Sequence, residues 1–92
     1  MKTRTKIYQV LDKANRRNLT LRQLMLLIKL QDNSMTPKDI AKQLGVSGAA
    51  VTIMVDRMDK LGLISREHGS DDRRQIIINI MPKGQQMCDE IN

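Results

Sequence analysis

Hydrophobic and polar residues follow a helical period at the start of the chain. The apolar positions have the spacing i, i+3, i+4 and i+7: Ile7, Val10, Leu11 and Ala14. This spacing predicts an amphipathic helix over residues 3–17 with a narrow apolar stripe and cationic outer faces. Thr20 and Gln23 form a capping-box signal for a second helix, whose apolar residues cover most of its faces. We expect this second helix to lie in the middle of the core.

Two further helices follow, joined by a very short turn. Thr36 and Pro37 are typical of a helix N-cap and first turn, and Gly45 suits the positive φ at which a short third helix ends. Ser47 then caps a fourth helix. Because so few residues connect them, the third and fourth helices must cross steeply, which predicts a helix-turn-helix over residues 36–61. The alternative is a plain helical hairpin packed only for stability.

The period changes from helical to extended after Gly62. A segment at 63–66 and an isoleucine-rich run at 75–81 predict two strands separated by a polar loop, with two arginines at its end. Pro82 predicts the start of a short final helix. The predicted fold class is therefore mainly α with a small β-hairpin, the arrangement of a winged helix-turn-helix.

Length and composition limit the organisation of the chain. Its 92 residues are enough for one domain and too few for two. The predicted parts of this single domain are a basic helix (1–18), a helical core (20–62), a wing hairpin (63–81) and a short terminal helix (82–92). No apolar run approaches the roughly 20 residues of a membrane span, and Cys88 is the only cysteine, which excludes an internal disulfide. We expect a cytoplasmic protein with no membrane partner.

The formal net charge of +6 is concentrated at one end of the chain. Residues 1–22 hold seven basic side chains and one acidic one, whereas residues 23–92 hold nine of each. A cationic end favours a polyanionic partner, although a solvated basic helix face gives the same count. Tyr8 is the only aromatic residue, so the chain cannot stack successive bases as single-strand binders do. Double-stranded DNA is therefore the preferred partner.

Candidates for catalysis or metal binding are few. His68 is the only histidine and lies on the predicted hairpin. Asp71 and Asp72 are adjacent, and turn formation or an arginine partner explains them. Cys88 has no activating group nearby in the sequence. We therefore expect no enzymatic activity, no metal and no cofactor.

Motifs in the fourth helix and the hairpin resemble those of the MarR family of bacterial transcription regulators. The resemblance covers about residues 19–84 and is carried by Val51-Thr52, Val55-Asp56-Arg57-Met58, Gly62-Leu63-Ile64, Arg66, Asp72-Arg73-Arg74 and Lys83-Gly84. The family implies a fourth helix in the major groove of DNA and a hairpin arginine in the adjacent minor groove. Carried over to this chain, the wing arginines are Arg73 and Arg74. Asp72 matches the wing aspartate, and Asp56 is a helix carboxylate that supports a wing arginine.

The outer face of the fourth helix predicts the remaining DNA contacts. The residues on or beside this face, with nearby cations, are Lys38, Ser47, Gly48, Ala49, Thr52, Ile53, Arg57 and Arg66. Ser47 and Gly48 suit close approach to a phosphate, Thr52 offers a hydroxyl, and Ile53 can touch a thymine methyl group. The family often carries long polar residues at the positions of Gly48 and Ile53. We therefore expect apolar and shape readout, with the wing in a narrow A·T-rich minor groove.

Two further points concern the partners of this chain: an alternative use in protein contact, and the oligomeric state. A winged helix can also contact protein, for instance in a replication or transcription assembly, and the arginine-poor start of the fourth helix fits that use. MarR-type proteins usually continue into long helices that build a dimer and an effector pocket, whereas only residues 82–92 follow the hairpin here. The N-terminal apolar stripe is narrow and surrounded by like charges. We expect a monomer or weak homodimer that dimerises, if at all, on DNA.

Overall fold

The structure is a computed structural model that describes residues 2–69 and 74–91. Its elements are α1 (Lys2–Arg16), α2 (Leu21–Asp32), α3 (Pro37–Leu44), α4 (Gly48–Lys60), β1 (Ile64–His68), β2 (Ile76–Ile80) and α5 (Pro82–Ile91). The predicted fold class is confirmed. No helix in the described ranges combines the length and the apolar content that crossing a bilayer requires.

Side-chain caps and one glycine set the ends of the central helices. The Thr20 and Thr36 hydroxyls each accept a backbone N–H three residues on, and the side chains of Gln23 and Asp39 accept the cap N–H in return. Both are complete capping boxes. Gly45 ends α3 with a φ of 65°, a left-handed conformation in which a Cβ atom would be strained. These local signals produce the short α3–α4 junction that the sequence predicts, in which three residues separate Leu44 from Gly48.

The two strands form an antiparallel pair whose register runs from Ile64 opposite Ile80 to His68 opposite Ile76. β1 reaches two residues beyond the predicted strand because its last residues continue this pairing. Met35, just before α3, adds an isolated bridge to Ile78. Their backbones exchange two hydrogen bonds, of 3.1 and 2.7 Å. This bridge was not predicted, and it ties the start of the helix-turn-helix to the base of the wing.

The core lies between α2, the helix-turn-helix, the hairpin base and α5. Its fully buried side chains include Leu26, Leu27, Ile40, Val51, Met58, Leu63, Ile64 and Ile78. Gly84 packs so closely that a Cβ atom there would lie 2.4 Å from the carbonyl oxygen of Leu63. The first turn of α5 is therefore seated directly on the residue that leads into β1.

The prediction that α2 lies in the middle of the core is wrong in part. α2 is central, since it contacts α1, α3, α5 and β2, but it is not enclosed on all sides. Its exposed apolar side chains are Leu21, Met25 and Ile28. On α1, Ile7 and Leu11 are also exposed, and only Val10 and Ala14 pack against the core. The described elements leave these faces of α1 and α2 uncovered, so their apolar spacing does not lead to burial.

Candidate nucleic-acid interface

The fourth helix buries one face and presents the other to solvent. Its inward stripe is buried as predicted and consists of Val51, Met54, Val55 and Met58. The predicted contact residues at its start and on its outer face are exposed: Ser47, Gly48, Ala49, Thr52, Ile53 and Arg57. The fold therefore brings these six residues together on one accessible surface, which we call the reading face.

The start of α4 is open and polar. The Ser47 hydroxyl accepts the Ala50 N–H at 3.1 Å, which caps the helix. Nothing lies within 4 Å of the position that a Cβ atom on Gly48 would occupy. The N–H groups of Gly48 and Ala49 lie in the first turn, where a helix supplies no acceptor of its own. These two N–H groups can accordingly donate to a phosphate oxygen without a side chain in the way.

Thr52 and Ile53 give the middle of the reading face its chemistry. The Thr52 hydroxyl donates to the carbonyl oxygen of Gly48 at 3.1 Å, so its proton is already used within the helix. Its free lone pair can still accept from the amino group of adenine or cytosine. The side chain of Ile53 is 57% exposed and can contact a thymine methyl group. The Thr52 hydroxyl can therefore act toward DNA only as a hydrogen-bond acceptor.

Exposed cationic side chains lie on the reading face itself, on α3 and on the hairpin. Arg57 is exposed on α4, Lys38 is exposed in the first turn of α3, and Arg74 is exposed where the hairpin leads into β2. Arg57 and Arg22 also border an apolar groove of about 510 Å³ between the start of α2 and α4. Arg73 and Asp72, predicted as a wing arginine and a supporting aspartate, lie outside the described residues.

Arg66, a predicted DNA contact, has its guanidinium group bound by carboxylates of α4. Its Nε and Nη2 atoms donate to Asp59 Oδ2 at 3.0 and 2.8 Å. Nη2 also lies 3.6 Å from Asp56 Oδ1, and the Asp56 carboxylate is 3.1 Å from Lys60 Nζ. Asp56 thus contacts an arginine of the wing stem, but Asp59, which the sequence reasoning missed, makes the closer contact. The available signal was the short turn between α4 and β1, which folds Arg66 back over the last turn of α4.

Further contacts hold the stem of the wing from its other side. The Lys83 ammonium donates to the Leu61 carbonyl oxygen at 2.9 Å. The Met81 N–H donates to the carbonyl oxygen of Leu63, also at 2.9 Å. The Ser34 hydroxyl is hydrogen-bonded to the side-chain oxygen of Asn79. The base of the hairpin is therefore attached to α4, to α5 and to the segment before α3.

Two other residues considered for catalysis or metal binding, His68 and Cys88, lie within the described ranges. His68 is exposed at the end of β1. Cys88 is buried in α5, and burial raises the pKa of its thiol, an effect to which the neighbouring Asp89 carboxylate adds. Its thiol is therefore kept protonated and shielded. Within ranges 2–69 and 74–91, no group of three or more histidine, cysteine or acidic side chains is placed to hold a metal ion.

A helix-turn-helix with one packed face, followed by an antiparallel hairpin, defines the class of winged-helix DNA-binding proteins. Residues 19–76 match the model of the MarR family, and the chain belongs to that family. The recognition made from the motifs is confirmed.

Among curated relatives, the HTH-type transcriptional repressor MdtR of Bacillus subtilis is 31% identical over 84 residues, which cover 90% of this chain and 54% of MdtR. The repressor YetL of the same organism is 34% identical over 61 residues, covering 66% of this chain and 36% of YetL. The chain therefore spans about half of MdtR and about a third of YetL.

Solved structures give the same architecture. The transcriptional regulator BldR from Sulfolobus solfataricus is 32% identical, with a TM-score of 0.80 over 100% of this chain and 70% of BldR. A mutant MarR from Escherichia coli, solved in complex with operator DNA, is 22% identical, with a TM-score of 0.81 over 97% of this chain and 64% of MarR. At 22% identity, the similarity to MarR shows a shared fold only.

Proposed function

We propose that this protein is a transcription regulator that binds double-stranded DNA, with α4 in the major groove and the hairpin tip in the adjacent minor groove. The observation that carries the proposal is the reading face, which is exposed on a helix whose opposite face is fully packed. The repressor names of the relatives and the operator DNA in the MarR complex support this function. The same relatives are described as regulators, which supports a non-catalytic role.

The proposed contacts divide into two kinds. Ser47, Gly48 and Ala49 hold a phosphate through backbone and hydroxyl groups, and exposed cations contact the backbone further out. Thr52 and Ile53 meet the base edges. Arg57 is the one cation of the reading face, so direct hydrogen bonding to guanine is limited. We therefore assign more of the sequence preference to groove shape and to the wing arginines, Arg73 and Arg74.

Fluorescence-anisotropy titration with random duplex DNA at several salt concentrations tests this function. We expect affinity to fall steeply with salt, because each phosphate contact adds about 0.9 to the slope of log K against log salt. Arg74→Ala should weaken binding to all duplexes and reduce that slope by about 1. Lys29→Ala is the matched control, since it removes the same charge from a surface outside α4 and the hairpin.

A selection from random duplexes distinguishes sequence-specific base contacts from non-specific electrostatic attraction. The double variant Thr52→Val with Ile53→Ala should prefer different sites from the unaltered protein, at about 1 to 3 kcal/mol per lost base contact. Identical preferred sites would exclude α4 as the reading element. Salt-independent binding, or none at low salt, would instead favour the use of the winged helix for protein contact.

We also propose a monomer or weak homodimer in solution, with pairing assisted by DNA. α1 carries Arg4, Lys6 and Lys13 beside its exposed apolar side chains, so two copies of this helix repel each other unless a polyanion screens them. Sedimentation with and without duplex DNA tests this proposal, and a stable dimer without DNA would contradict it. The cytoplasmic location predicted from the sequence stays a prediction.

A further inference from the structure

The ion pair between Asp59 and Arg66 joins the last turn of the reading helix to the first strand of the wing. Two donor atoms of the guanidinium converge on one carboxylate oxygen, at 3.0 and 2.8 Å. The Arg66 and Asp59 side chains are 41% and 35% exposed, so solvent screens the pair only in part. The contact spans two separate elements, unlike a pair within a single helix.

The backbone between the two residues turns sharply. Gly62 has a φ of 76°, and its N–H donates to the Asp59 carbonyl oxygen at 2.9 Å. The direction in which β1 leaves α4 depends on this turn, and a side-chain link across the turn restrains that direction. Because the paired strands extend five residues, from Ile64 to His68 on β1, a small change of angle at the turn displaces the His68 end of the pair by a larger distance.

Charge gives an independent reason to assign the pair a role. Two carboxylates, on Asp56 and Asp59, lie on the helix that is to meet DNA, where unpaired acidic groups oppose binding. They form one cluster with Lys60 and Arg66, and the formal charges of these four groups cancel. Arg66 consequently adds no free positive charge for a phosphate while the cluster is intact.

We infer that Asp59 is a positioning residue for DNA recognition, which holds Arg66 so that the wing and the reading helix can enter adjacent grooves together. Arg66 then acts through this link and not as a phosphate contact. The inference rests on the proposed function, since it assumes that both elements meet one duplex.

Asp59→Asn distinguishes a positioning role from a simple charge effect, because the two predict opposite changes in the affinity for the preferred duplex. Removing a carboxylate raises the affinity for every duplex if charge alone matters. With a positioning role, affinity for the preferred duplex falls about tenfold, a size within the coupling range of contacting residues, while random-duplex affinity stays equal or rises. Asp12→Asn is the matched control, because Asp12 pairs with Arg16 at 2.9 Å on α1, away from the wing.

Arg66→Lys is the second variant and keeps the charge. A lysine still attracts a phosphate as a point charge but lacks the fixed fork that reaches Asp59 from two nitrogens. A positioning role therefore predicts lost selectivity, and combining both substitutions should cost little more than either alone. Retained selectivity in Arg66→Lys would overturn the inference.

Amide hydrogen exchange supplies a readout that does not depend on DNA. Exchange at Glu67 and at Gly69, which donates to the Gln75 carbonyl oxygen at 2.8 Å, should accelerate in Asp59→Asn while exchange in α2 stays unchanged. Equal exchange rates together with equally raised affinities for all duplexes would overturn the inference and leave the proposed function standing. If the unaltered protein binds no duplex, the proposed function itself fails.

Discussion

The α3–α4 pair buries its apolar stripe, whereas α1 leaves half of its own stripe exposed. Ile40 and Val51 are fully buried, but Ile7 and Leu11 on α1 are 55% and 44% exposed. Both regions have the apolar spacing of an amphipathic helix. The difference shows that such spacing predicts which face of a helix is apolar, while burial depends on whether another element lies opposite that face.

The two regions also differ in the residue at which their chains turn. α3 ends at Gly45 with a φ of 65°, and α1 is followed by Asn18 with a φ of 59°. Each residue adopts the left-handed conformation two positions before a helix N-cap, which is Ser47 after Gly45 and Thr20 after Asn18. The two turns therefore have the same spacing, and they differ in whether the left-handed residue carries a Cβ atom.

Truncating one isoleucine in each region gives the largest expected difference in the free energy of unfolding. Ile40→Ala should lower the free energy of unfolding by about 2 to 5 kcal/mol, because it leaves a cavity in the core. Ile7→Ala should change it by no more than about 0.5 kcal/mol, since the side chain is mostly in water. Urea denaturation measures both values. A large, concentration-dependent loss in Ile7→Ala would show that a second copy covers α1.

The turn residues give an intermediate contrast. Gly45→Ala should cost about 1 to 2 kcal/mol, the usual penalty of a Cβ atom in the left-handed region. Nothing lies within 4 Å of that Cβ position, so the cost is backbone strain and not a clash. Asn18→Gly should change stability by less than about 0.5 kcal/mol, because asparagine and glycine both accept this conformation. Thermal unfolding compares the two, and an equal loss in both variants would contradict the backbone strain assigned to a Cβ atom at Gly45.

Polar contacts at helix surfaces give the smallest contrast. Ser47→Ala removes the cap of α4 and should cost about 1 kcal/mol. Arg16→Ala removes an exposed pair with Asp12 on α1 and should cost at most about 0.5 kcal/mol. Circular dichroism during chemical unfolding detects both. If the Arg16 variant lost more than the Ser47 variant, α1 would be held by its charges more firmly than the exposure of its side chains indicates.

Local signals determined the elements of the fold and the orientation of α4. The caps at Thr20, Thr36 and Ser47 act over three residues, and the turn at Gly45 needs only its own backbone freedom. The period of α4 likewise separates its inner face from the reading face. Each of these features follows from interactions within a few residues, so the sequence alone was sufficient to predict them.

Tertiary structure decided the contacts between distant segments. Met35 bridges to Ile78 without any local sequence signature, and the short turn after α4 did not by itself show that Arg66 folds back onto Asp59. The exposure of α1 also lay beyond the sequence. These features depend on which elements meet after the chain has folded back on itself. A helical period contains no information about what lies opposite, because the same apolar face can be covered by the core, by another chain or by water.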